Sequence, residues 1–272
     1  MLYCEINGQQ CKQLTALDRA FAYGDGVFTT AKIQNGRIEF LPEHLQRLKY
    51  ACQQLKIQLT QFDLITERIV ELAKSYQKAV LKITITAGQG GRGYSRQGID
   101  KENIVISVFA FPEYYQQWRE SGITLGLSEQ QLGVNPMLQG IKHLNRLEQV
   151  LLKSELDQRN EDELLVVDIF AHLVETTASN FFWFEGSKIY TPELSGSGVN
   201  GLIRQQLLLM EPAIEQVKVG VEQLSSANAM FISNCIMGIV PIKQFKERQL
   251  DISPVKRLQQ KFSALIEGSL ED

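Results

Sequence analysis

Lys142 lies in the run Gly-Ile-Lys-His-Leu-Asn-Arg-Leu-Glu-Gln, residues 140–149, behind a loop that carries Asn135, Pro136 and Gly140. An amine held where a loop meets a helix can attack a carbonyl, provided its surroundings keep part of it neutral. The helix is expected from Leu144, Leu147 and Leu151, with Glu148, Gln149 and Lys153 off that stripe. A second place for chemistry is Gly-Val-Asn-Gly-Leu-Ile-Arg, residues 198–204, a glycine-bearing turn that runs into a helix. The backbone N–H groups of Leu202 and Ile203 would meet an anion at the favourable end of the helix dipole, worth ~0.3–1 kcal/mol per charge. Taken alone, each is a common surface feature.

Four segments occur in one order along the chain and share one resemblance. They are Tyr-Gly-Asp-Gly-Val-Phe-Thr-Thr (23–30), the lysine decapeptide, Glu-Thr-Thr-Ala-Ser-Asn-Phe-Phe (175–182) and the turn at 198–204. The decapeptide resembles the cofactor-bearing lysine segment of 4-amino-4-deoxychorismate lyases. Those enzymes belong to the fold-type IV pyridoxal-phosphate group, with the branched-chain and D-amino-acid aminotransferases, and the other three segments resemble the group as a whole.

The resemblance implies a role for each matching residue. Lys142 would bond to pyridoxal phosphate and then act as general base. Glu175 would hold the pyridine nitrogen protonated, since a nearby carboxylate favours the charged form. Arg47 would grip the phosphate, helped by Gly201, Leu202 and Ile203, because a guanidinium can bind two oxygens at once. Asn180, Asn234 and Cys235 would line the cofactor. Asn145, Arg146, Arg92 and Thr29 would meet the substrate, and the hydroxyl of Thr30 could serve proton delivery. The implied reaction is elimination from 4-amino-4-deoxychorismate, with transamination by a D- or branched-chain enzyme of the same fold as the alternative. A homodimer is also implied.

The elements that must position these residues can be read from periodicity. Asn7-Gly8 and Asn35-Gly36 are hairpin signals, the second between strands at 30–33 and 37–40. Pro42 suits the first turn of a helix carrying Leu45, Leu48, Cys52 and Leu55, and Ile65, Ile69, Leu72 and Tyr76 mark a second. Strands are expected at 81–86 and 104–111. The polar stretch after Pro112 is the expected linker, which divides the chain into an N-terminal α/β domain (1–112), a linker (113–122) and a C-terminal cofactor-binding domain (123–272). Beyond it, strands at 164–168, 181–184, 217–221 and 230–233 alternate with helices near 143–158, 202–212 and 254–266. The fold class is therefore mixed α/β in two domains. The resemblance adds that the larger, C-terminal one is pseudobarrel-like, with the cofactor in a cleft between the two.

Several classes are excluded. Gly88-Gln-Gly-Gly-Arg-Gly93 satisfies G-x-G-x-x-G, but a strand follows it and no helix, so a dinucleotide site fails on context. Its glycines predict a mobile loop instead. His44, His143 and His172 are scattered, so no metal cluster is expected. The net charge of −3 argues against a nucleic-acid or acidic-membrane surface. No apolar run nears the ~20 residues of a membrane helix. The N-terminus does not read as a signal peptide. Cys4, Cys11, Cys52 and Cys235 form no C-x-x-C pair, which suits reduced thiols in the cytoplasm.

Overall fold

Asn7-Gly8 and Asn35-Gly36 both carry the chain through positive φ (51° and 79°, 50° and 76°). Asn and Gly tolerate that backbone best, and a two-residue hairpin needs it. In the computed structural model, which describes residues 1–99 and 101–268, these turns close β1 (Tyr3–Ile6) onto β2 (Gln9–Gln10) and, after α1 (Arg19–Tyr23), β3 (Gly26–Gln34) onto β4 (Arg37–Ile38). There follow α2 (Leu41–Gln54), α3 (Phe62–Ala73), β5 (Lys78–Thr86) and β6 (Asn103–Ala110). Helix α3 ends at Ala73, so Tyr76 lies beyond the face it was expected to share. Helix α2 buries His44, Leu48, Ala51 and Cys52, whereas Leu45 and Leu55 are only half-buried.

The chain forms two compact units. The first holds Met1–Phe111, Lys142–Asn145 and 266–268; the second holds Pro112–Ile141 and Arg146–Leu265. Residues 269–272 of the domain expected at 123–272 lie outside the described residues. In the first unit six strands run antiparallel in the order β2-β1-β6-β5-β3-β4. Side chains alternate across a strand. Val27, Thr29, Ala31 and Ile33 of β3 are buried, Thr29 against α2, while Phe28, Thr30 and Lys32 take the other face.

The second unit begins with α4 (Tyr114–Ser121), which occupies the stretch expected as a linker. Tyr114, Tyr115 and Trp118 pack their rings within 4.6–5.4 Å of one another, so this polar-looking segment has an anchor. Then come β7 (Ile123–Leu132), α5 (Leu147–Leu156), β8 (Glu163–Asp168), β9 (Leu173–Thr176), β10 (Asn180–Glu185) and β11 (Lys188–Pro192). The chain continues through α6 (Leu202–Met210), β12 (Glu215–Val217), a 3-10 turn (Val221–Ser226), β13 (Ala229–Asn234), β14 (Gly238–Phe245), β15 (Arg248–Gln249) and α7 (Ser253–Gly268). Strand β12 stops at Val217, where 217–221 was expected. The sheet order is β12-β11-β10-β13-β14-β7-β8-β9, with β15 beside β14, and a tight turn in which Thr176 N donates to Ser179 O joins β9 to β10.

Strand β10 is buried on both faces, which is why it reads as a continuous apolar run. Phe182 stacks on Phe231 at 4.6 Å, and Phe181 on Trp183 at 5.8 Å. Each such side chain stabilises the fold by about 1.5–3 kcal/mol through burial. This slab is the rigid support for Asn180 at its head.

Candidate active site

In the first unit, residues 142–144 act as a short strand on the open edge of β3. Phe28 N donates to Lys142 O (3.0 Å), Leu144 N donates to Gly26 O (2.9 Å), and Val27 bridges His143. Lys142 therefore does not stand at the mouth of a helix. Its carbonyl is taken by Phe28 N, and α5 begins only at Leu147. Of the expected stripe, Leu144 precedes the helix, and Leu147 and Leu151 are exposed; α5 buries Leu152 and Leu156.

The glycines of the Tyr-Gly-Asp-Gly run explain this docking. A Cβ on Gly26 would come within 2.5 Å of Ile85 O and 2.7 Å of Leu144 Cδ1. Gly24 takes a φ of 62°, and its carbonyl accepts from Asn145 Nδ2 at 3.0 Å. Two motifs far apart in the chain are thus one structural feature.

Lys142 Nζ lies 4.6 Å from the centroid of the Phe28 ring. Lys82 Nζ lies over the same ring at 4.9 Å, and burial lowers its pKa. Thr30 pairs with Lys82 in register and shares the strand face of Phe28. Thr29 points the other way and has no solvent exposure. Its hydroxyl meets His44 Nδ1 at 2.6 Å and accepts from Arg47 Nη2. That overturns its expected contact with substrate, since a hydroxyl sealed beneath the sheet cannot reach one.

The loop at 88–99 is held by side chains of the same unit. The buried Arg19 donates to the carbonyls of Gly90, Gly93, Tyr94 and Ser95. Asp25 takes Arg19 Nε at 2.7 Å and also binds Arg96. Arg92 is exposed on this loop, and no helix follows it.

In the second unit, Glu175 on β9 and Asn180 on β10 hold the 198–201 turn from two sides. Glu175 Oε2 accepts from Val199 N (2.9 Å). Asn180 Nδ2 donates to Val199 O (2.8 Å), and Asn180 Oδ1 accepts from Gly201 N (3.2 Å). A Cβ on Gly201 would fall 2.1 Å from Asn180 Oδ1, so a side chain there would force Asn180 to shift. The turn leads directly into α6, whose first N–H groups lack intrahelical acceptors by helix geometry. Arg204 ties α6 back to Asn200 Oδ1, Pro192 O and Gln216 Oε1; burial depresses its pKa to about 10.

Arg146 donates to Ile141 O at 2.6 Å; burial lowers its pKa, with Glu175 and Glu148 acting against that. Asn234 uses its amide to shape its own turn, donating to Ala178 O and Ser179 Oγ and accepting from Ile236 N and Met237 N. Cys235 is half-buried in that turn.

Each unit carries groups whose chemistry suits pyridoxal phosphate: the first has the Lys142 amine and the Arg47 guanidinium, and the second has the buried Glu175 carboxylate and the helix N-terminus after Gly201. Two residues passed over in the sequence join the arrangement. His44 could have been found from its i, i+3 spacing to Arg47 on one helix face, and Lys82 from its place in a strand that alternates.

The sequence profile of the amino-transferase class IV family matches residues 26–245, and the chain belongs to that family. Among its relatives is the aminodeoxychorismate lyase of Vibrio harveyi, 33% identical over 259 residues, covering 93% of this chain and 95% of that one. A putative branched-chain-amino-acid aminotransferase of Methanocaldococcus jannaschii is 27% identical, covering 92% and 90%. Among solved structures, the 4-amino-4-deoxychorismate lyase of Pseudomonas aeruginosa superposes with a TM-score of 0.90 at 28% identity, covering 96% and 98%.

Proposed function

We propose that this protein is a pyridoxal-phosphate-dependent lyase that converts 4-amino-4-deoxychorismate to 4-aminobenzoate and pyruvate. The observation that carries the reading is the end-to-end similarity, at 33% identity, to an aminodeoxychorismate lyase. The decapeptide around Lys142 supports it.

Bound pyridoxal phosphate supplies an electron sink for a carbanion at the amine-bearing carbon of the substrate. Lys142 would hold the cofactor through its Nζ, and the same amine would remove the proton from that carbon, a positioned transfer worth roughly 10²- to 10⁴-fold. Glu175 would keep the pyridine nitrogen protonated. Arg47 and the N–H groups of Leu202 and Ile203, with Gly201, bind the phosphate, and Asn180, Asn234 and Cys235 support that end. Thr30 delivers protons from the face it shares with Phe28. Arg146, Arg92 and Asn145 serve substrate recognition, Asn145 through its hold on Gly24. Loss of the enolpyruvyl group leaves an aromatic ring, which makes the step one-way.

The protein acts as a homodimer in the cytoplasm. Leu147, Val150 and Leu151 of α5 are exposed in the single chain, an apolar strip suited to a second copy. All four cysteines are free thiols. No helix among the described residues is long and apolar enough to cross a membrane.

The test is to supply enzymatically made aminodeoxychorismate and follow 4-aminobenzoate and pyruvate, alongside D-alanine with 2-oxoglutarate. Both products from the first mixture are expected. Rapid transamination in the second with no aminobenzoate in the first would refute the reading.

A further inference from the structure

The buried polar cluster under β3 has no place in the chemistry described so far. His44 is 1% exposed and Thr29 fully buried, in a region otherwise packed with Val27, Ala31, Ile33, Leu48 and Cys52. A hydroxyl and an imidazole in such surroundings destabilise the fold unless hydrogen-bonded. Their retention there calls for a reason.

The proton count is determined by the donors. A guanidinium can only donate, so Thr29 Oγ1 accepts from Arg47 Nη2. The hydroxyl has one proton to give, and His44 Nδ1 stands 2.6 Å away. Arg47 Nη2 also lies 3.4 Å from Nδ1, a nitrogen that must then carry a lone pair. With Nδ1 accepting, the imidazole proton falls on Nε2, a buried nitrogen with no hydrogen-bond partner among the described residues, so the arrangement carries a cost in stability. Burial, then the charges of Arg47 and Lys142, all oppose a second proton on this ring. His44 is therefore a neutral acceptor held between an arginine and a threonine.

We propose that His44 and Thr29 form a relay that locks the guanidinium of Arg47, making His44 a positioning residue for the phosphate of the cofactor. An arginine side chain has many rotamers, and an anion site built from one gains affinity when it is preorganised. Here Thr29 fixes the arginine, and His44 fixes the threonine hydroxyl so that its oxygen faces Nη2. A protonated or absent imidazole would turn that hydroxyl away. The inference rests on the function proposed above, in that the anion is taken to be a phosphate.

Two measurements test it. The first compares pyridoxal phosphate with pyridoxal, which lacks the phosphate, in spectrophotometric titrations of the full chain. In Thr29→Val and His44→Leu, affinity for pyridoxal phosphate should fall about tenfold or more, the loss of one hydrogen bond to a charged group, while affinity for pyridoxal holds. His44→Asn, which can place an acceptor where Nδ1 was, and Thr29→Ser should recover most of it. A parallel fall for both ligands, or no fall for either, overturns the relay. The second measurement needs no cofactor. Nitrogen-15 spectra of the histidines should show His44 as a neutral Nε2–H tautomer at neutral pH, and an Nδ1–H or charged ring would overturn the relay by itself. Should the unaltered protein bind both ligands equally, the phosphate reading of Arg47 fails, while the spectra still decide the relay.

Discussion

Replacing Gly201 by alanine gives the sharpest test of how the turn before α6 is built. Gly201 has a φ of −67°, which any residue adopts, so backbone strain plays no part. The whole effect must come from the added methyl, placed 2.1 Å from Asn180 Oδ1 and 3.3 Å from Asn180 Cγ. Asn180 is 5% exposed at the head of a fully packed strand, so it has little room to move. Driving it away breaks its bonds to Gly201 N and Val199 O. Two net hydrogen bonds at ~0.5–1.5 kcal/mol each predict a loss of about 1–3 kcal/mol. If that loss falls on the cofactor-bound state, affinity for pyridoxal phosphate drops roughly 5- to 150-fold. The assay is a double-mutant cycle with Asn180→Ala, reading cofactor affinity and urea unfolding together. Because the methyl acts through Asn180, Gly201→Ala should do little more harm once Asn180→Ala is present. Additive losses, or a single variant indistinguishable from the parent, would refute the reasoning.

Further predictions concern other parts of the molecule. Lys142→Ala should abolish the yellow colour of the cofactor-loaded protein and lower lyase turnover by at least ~10²-fold; borohydride trapping in the parent, followed by peptide mapping, should find the adduct on Lys142 and nowhere else. Burial pushes the pKa of Asp25 up, but Arg96 and Arg19 outweigh it and the net shift is downward. The stability this ion pair contributes is therefore present above the ordinary carboxylate pKa of about 3.9 and lost as pH falls through the depressed native value. Asp25→Asn should cost about 3 kcal/mol at pH 7 in urea unfolding, with the gap to the parent closing on acidification below about pH 4. The Cys52 thiol is pushed up to about 12 by burial and by Glu102. At pH 8 it should resist iodoacetamide in the native protein and react in urea; native labelling as fast as a free thiol's would contradict that burial.

The sequence by itself determined what depends on nearest neighbours and on residue type. The two Asn-Gly hairpins are legible because the positive φ they need is a property of those residues. Strand β10 is legible because an aromatic run buried on both faces looks the same in any context. Family membership is legible because several short segments occur together in one order. Tertiary structure decided where distant segments meet. Nothing local says that residues 142–144 will pair with β3 rather than start a helix; that depends on Gly24 and Gly26, more than a hundred residues earlier, leaving room for Asn145 and Leu144. Strand alternation puts Thr29 and Thr30 on opposite faces, but only α2, packed beneath with His44 and Arg47, decides which of them is sealed from solvent. Asn234 likewise shows its type in the sequence, but only the folded turn at 234–237 reveals that its side-chain oxygen accepts from Ile236 N and Met237 N. A side chain's chemistry is written in its type, whereas its partners are set by which surfaces the packed core brings within hydrogen-bonding distance.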